Sequence, residues 1–145
     1  MSEIKYYYCT ICGNVIEKVH DSKNTPMCCM RDMEELVACS TDGKTEFHVP
    51  VYKIHRDKLV VCIGKEPHPM EKDHYIEWIE VETNKGIMRR YLKPGDNPTA
   101  HFHLCDKEEV LKIYAYCNKH KLWSCTFEKE HQYDCCDEYD RYTCD

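Results

Sequence analysis

The sequence predicts a mainly β chain in two parts, a small four-cysteine metal domain followed by an antiparallel β-sandwich. Three observations lead there. Residues 1–38 carry Cys9-Thr10-Ile11-Cys12-Gly13 and the pair Cys28-Cys29 in a stretch too short to bury much apolar surface by itself. From about residue 46 onward, seven short apolar segments recur with turn signals between them. No stretch carries the period of a long helix.

The first unit opens with a Tyr-rich strand and closes after Cys28-Cys29. Ser40-Thr41-Asp42-Gly43-Lys44, polar and containing the turn pair Asp-Gly, reads as the linker. The sandwich strands are expected at 49–54, 59–63, 75–82, 86–92, 100–104, 110–116 and 122–127, and Lys93-Pro94-Gly95-Asp96 marks a turn. Leu111, Ile113 and Ala115 alternate with Lys112, Tyr114 and Tyr116, which predicts a strand buried on one face. The expected division is 1–38, 39–126 and 127–145, the last an acidic, mobile tail with Cys135, Cys136 and Cys144.

Composition narrows the function. The net charge is −6, and residues 126–145 hold seven acids against two bases. The remainder is nearly neutral and has no basic stripe, which argues against nucleic acid. No apolar run approaches the roughly 18 residues of a membrane span, and the N-terminus lacks a secretory core. Twelve cysteines without an export signal point to metal or redox use in a reducing, cytoplasmic setting rather than to a disulfide framework.

Cys9 and Cys12 have the C-x-x-C spacing that lets two thiolates reach one ion, and Gly13 lets the backbone fold behind them. The adjacent Cys28 and Cys29 cannot converge without local strain, so the expected tetrahedron is distorted. Four thiolates suit zinc or iron.

A second donor set is His48, His68, His74, Cys117 and His120. Each sits at a strand end or in a restricted loop; His68 lies between Pro67 and Pro69. Four imidazoles and one thiolate suit a redox-active iron better than a closed structural zinc. Five donors suggest a square pyramid with one position open to a small molecule.

At these motifs the chain resembles the desulfoferrodoxin family of two-iron superoxide reductases. The resemblance spans roughly residues 6–123 through C-x-x-C-G, Cys28-Cys29, H-V-P, P-H-P-M, H-x-I-x-W-I, L-K-P-G-D and C-N-x-H-x-x-W. It implies a desulforedoxin-like first domain with iron on Cys9, Cys12, Cys28 and Cys29. It also implies an immunoglobulin-like second domain whose iron takes His48, His68, His74 and His120 equatorially and Cys117 axially. The implied activity is reduction of superoxide to hydrogen peroxide, with a rubredoxin-like electron donor and a homodimeric assembly. Glu46 is, by the same resemblance, a carboxylate that caps the sixth position. The family pattern there is Glu-Lys-His, whereas this chain has Glu46-Phe47-His48, so the steering charge is missing at that place. Lys44 is a candidate substitute.

Other readings are a non-catalytic electron carrier or redox sensor, and a zinc-stabilised binding module. Cys62 is expected in the core, His101 and His103 at the surface, and Trp78 and Trp123 near the ligand strands.

Overall fold

Why the chain forms short strands is visible in its alternation and turn chemistry. The structure, a computed structural model, describes residues 4–41, 47–130 and 132. Among these there are twelve strands and no helix, hence none long and apolar enough to cross a membrane. The chain divides into two compact units, Met1–Val37 and Ala38–Asp145.

In the first unit, β1 (Tyr6–Tyr8) is the centre of a three-stranded sheet between β2 (Val15–Glu17) and β5 (Glu34–Leu36). A separate hairpin joins β3 (Met27–Cys28) to β4 (Arg31–Asp32). The buried cluster is small: Tyr7, Cys9 and Met33, with Ile16 and Cys28 against it. A core of that size is small for a unit of this length, and a metal held by its cysteines would supplement it.

The second unit is a sandwich of two antiparallel sheets. One has the order β10-β7-β6, from Thr99–His103, Lys58–Ile63 and Pro50–His55. The other has the order β12-β11-β8-β9, from Lys121–Thr126, Val110–Cys117, Ile76–Thr83 and Gly86–Tyr91. All seven expected strands are present, with ends shifted by at most one residue. Leu59, Val61 and Ile63 face Ile76, Ile79, Val81, Ile113 and Ala115 across the core, and Phe102 is fully buried.

One expectation is corrected. β11 is buried on both faces, because Tyr114 and Tyr116 are also covered; Tyr116 stacks on Trp78, with centroids 5.6 Å apart. On that same face Glu80 is fully buried and paired with Arg89, whose guanidinium lies over the Trp78 ring. Cys62 is buried as expected, in a core cluster with Val51 and Val60.

The segment after β12 begins tied down. Phe127 packs on the core and its N–H donates to Leu111 O. The Glu128 N–H donates to the Tyr52 hydroxyl at 2.7 Å, and the Ile54 N–H donates to Gln132 Oε1 at 2.7 Å. These contacts run beside β6, an edge strand of its sheet. Cys135, Cys136 and Cys144 lie outside the described residues.

Candidate metal centres

β1 ends at Tyr8 and delivers Cys9 to the first cluster. Gly13, at φ +82°, turns the loop back so that its N–H donates to Cys9 O at 2.9 Å. The β3–β4 turn supplies the other two cysteines. Cys28 pairs with Arg31, so the turn residues are Cys29 and Met30, both with positive φ (53° and 63°). Such a two-residue turn matches the twist of its strands but favours Asn-Gly. Here the left-handed backbone is what swings Cys29 beside Cys28.

The four sulfurs lie within 4.8 Å of one another, with Cys12–Cys28 at 3.5 Å and Cys28–Cys29 at 3.9 Å. Sulfurs about 2.3 Å from one ion in a tetrahedron are about 3.8 Å apart, so the spacing fits a bound metal. The Cys12 N–H donates to the Cys9 sulfur and draws that thiol down to about 6. Cys12, followed by Cys28 and Cys9, pushes the Cys29 thiol up to about 12. The sulfurs are too crowded to ionise together without a cation among them.

The second cluster gathers at one end of the sandwich. His48 leads into β6, His68 and His74 lie between β7 and β8, and Cys117 ends β11. His120 lies in the three-residue turn closed by the Cys117–Lys121 pair, where Lys121 takes φ +64°. A register shift between Tyr116 and Cys117 skips Glu77, so Cys117 faces Ile76 and the lead-in of β8 moves toward the sulfur. Bulges commonly re-aim side chains beside functional sites in this way.

The four imidazoles form a closed circuit. Centroid separations are 4.6 Å for His48–His68, 5.0 Å for His68–His74, 5.2 Å for His74–His120 and 4.8 Å for His120–His48. Interplanar angles run from 60° to 84°, so each ring meets its neighbours edge to face. Four nitrogens about 2.1 Å from a common centre in a square would put the centroids about 4.6 Å apart. His48 Nε2 and His120 Nδ1 are 3.1 Å apart, close to the roughly 3.0 Å of two such donors at a right angle. Donor atoms of His48, His74, Cys117 and His120 lie mutually within 4.8 Å. His68 is outside that set of four, although its ring completes the circuit. The Cys117 sulfur is 3.9 Å from His120 Nδ1 and fully buried.

The His68 Nδ1–H donates to the Pro69 carbonyl at 2.7 Å, which sets the tautomer and puts the ring's lone pair on Nε2, the atom that could reach a metal. His48 and His68 are buried, whereas His120 is exposed, so the circuit opens to solvent on the His120 side. Donors of this kind suit a divalent transition metal rather than a hard cation.

Two supporting residues were not legible as such in the sequence. Asn118 brackets His74: its Nδ2 donates to Asp73 O at 2.9 Å and its Oδ1 accepts the Tyr75 N–H at 3.0 Å. Gly64, at φ +83°, lies so close to Phe47 and Glu66 that an added Cβ would meet Phe47 O at 2.6 Å and Glu66 O at 2.4 Å. The adjacency of Asn118 to Cys117 was the available signal for the first; none pointed to the second. Phe47 is partly exposed. Glu46 and Lys44 lie outside the described residues. Among the described residues no third set of His, Cys, Asp or Glu converges in this way, and His101 and His103 join neither cluster.

Comparison with known proteins gives the following. The family model described as desulfoferrodoxin matches residues 40–126. A desulfoferrodoxin homolog from Archaeoglobus fulgidus is 41% identical over 124 residues, spanning 85% of this chain and 98% of that protein. A superoxide reductase from Pyrococcus horikoshii is 34% identical over 101 residues, spanning 58% of this chain and 88% of that one. The crystal structure of the superoxide reductase from Treponema pallidum superposes with a TM-score of 0.74 at 26% identity, covering 86% of this chain and 98% of that chain.

Proposed function

The chain belongs to the desulfoferrodoxin family, and from that membership we propose that it is a superoxide reductase working at an iron held by His48, His68, His74, His120 and Cys117. The observation that carries this reading is the convergence of three histidine donors and one buried thiol within 4.8 Å. The ring of His68 closes the imidazole circuit beside them. Iron held by these residues would supply the single electron that, with two protons, converts superoxide to hydrogen peroxide.

The chain's own residues set the conditions for that chemistry. Four imidazoles would hold the metal without cancelling its charge, which would keep the site attractive to an anion. Burial keeps water from the Cys117 sulfur, which would donate electron density to the metal. Exposure of His120 leaves a route for superoxide to enter and for solvent protons to follow. Glu46, two residues before His48, is assigned the role of a carboxylate at the open face. Phe47 replaces a positive charge there with an apolar ring.

Cys9, Cys12, Cys28 and Cys29 are assigned a second mononuclear iron. A small rubredoxin-like carrier is the proposed reductant, the proposed assembly is a homodimer, and the proposed compartment is the cytoplasm. The test is anaerobic loading with ferrous iron, metal counting and titration with superoxide. One hydrogen peroxide per site oxidised, without dioxygen release, is expected. Peroxide accompanied by dioxygen in dismutase proportion would refute the assignment, and so would a Cys117→Ser chain that reacts like the parent.

A further inference from the structure

One side chain outside the donor set touches two of its members. The indole of Trp123 lies parallel to the His48 ring, with centroids 4.3 Å apart and planes 11° from parallel. Its Nε1–H donates to the His120 backbone carbonyl at 3.0 Å. His48 and His120 are 72 residues apart and approach each other to 3.1 Å.

The sequence around Trp123 explains the reach. Trp123 pairs with the small Ala115 on β11, and β12 runs near β6, whose lead-in carries His48. The Cys39 N–H donates to Leu122 O at 3.0 Å and the Ser124 N–H donates to Cys39 O at 2.9 Å, so the backbone on both sides of Trp123 is fixed. Trp123 is only 9% exposed. A rigid plane held this way restricts rotation of the His48 ring, which otherwise sits on a lead-in outside any strand. The same indole restrains the turn that carries His120.

We propose that Trp123 is a positioning residue that couples His48 to His120 and so pre-sets the metal site before an ion arrives. The inference rests on the reading of these histidines as metal donors. Supporting groups of this kind typically change metal affinity about 10- to 100-fold when removed.

The test uses the full chain and Co²⁺ alone as probe, titrated anaerobically, with the two sites followed by their separate visible bands. Trp123→Leu is expected to weaken Co²⁺ binding at the histidine site at least about tenfold, leaving the four-cysteine site as an unchanged internal control. Trp123→Phe keeps a stacking face but loses the Nε1–H bond to His120, so it is expected to fall between the parent and the Leu variant. Trp123→Met, longer and more flexible than Leu, should behave as Leu does and serves if Leu does not fold. In a His48→Ala background the Trp123→Leu penalty should shrink to less than about twofold, because the coupled partner is gone. Parent-like binding by the Leu and Met variants would overturn the proposal, as would an equal penalty with and without His48, or a Phe variant as weak as Leu. If the parent fills only its four-cysteine site with Co²⁺, the donor reading itself falls.

Discussion

Asn118 and Tyr75 hold each other twice: the Asn118 N–H donates to Tyr75 O at 3.2 Å, and the Tyr75 N–H donates to Asn118 Oδ1 at 3.0 Å. With the third bond to Asp73 O, one side chain fastens the segment on either side of His74 to the turn between Cys117 and His120. Asn118→Ala removes both side-chain bonds and leaves two backbone groups to find water. A loss of about 1–3 kcal/mol is expected in urea unfolding. Co²⁺ binding at the histidine site should weaken while the four-cysteine site is unaffected. Unchanged values for both quantities would show that the strap contributes nothing.

Met30 is 97% exposed and has φ +63° in the turn after Cys29. Glycine adopts that conformation without the steric cost a Cβ brings. Met30→Gly is therefore expected to raise the stability of the metal-loaded chain by about 0.5–1 kcal/mol. The gain should appear as a higher urea midpoint, and a lower midpoint would show that the methionine side chain holds the turn.

Burial pushes the Glu80 carboxyl up to about 7 against the opposing pull of Arg89. The folded chain keeps this proton at pH values where the unfolded chain, with an ordinary glutamate near 4.5, has released it. The contribution is therefore fully present below about pH 4.5 and is lost as pH rises toward about 7. Glu80→Gln should show a shallower fall of melting temperature with pH than the parent across that window. Parallel curves would mean that Glu80 titrates alike in both states.

By the resemblance to the family, Phe47 stands where a lysine is expected. Phe47→Lys adds a positive charge beside the lead-in to His48 and should raise the second-order rate of superoxide capture several-fold at low ionic strength. The gain should shrink as salt is added. Pulse radiolysis of the ferrous protein measures it, and equal rates at low salt would rule out steering from this position.

The strands of the sandwich could be read in advance because apolar alternation and turn residues are local signals. Ile79 and Val81 on β8 and Leu59, Val61 and Ile63 on β7 point inward as their spacing requires. The convergence of Cys9, Cys12, Cys28 and Cys29, and of His48, His74, Cys117 and His120, was legible for a different reason: cysteine and histidine in such numbers at strand ends and turns have few other purposes. What stayed hidden depends on long-range register. The one-face expectation for β11 failed because Trp78, Glu80 and Arg89, from two other strands, meet Tyr114 and Tyr116 on its far side. Gly64 could not be singled out, since its crowding comes from the backbone of Phe47, seventeen positions earlier.

The hold that Gln132 and Glu128 keep on Ile54 and Tyr52 has a consequence for how the protein behaves with its own kind. An outermost strand with bare amides invites pairing with any extended peptide. Here a polar side chain from the C-terminal stretch takes one of those amides. Chains shortened after Phe127 should lose that guard, and β6 would then become the place where neighbouring copies stick together.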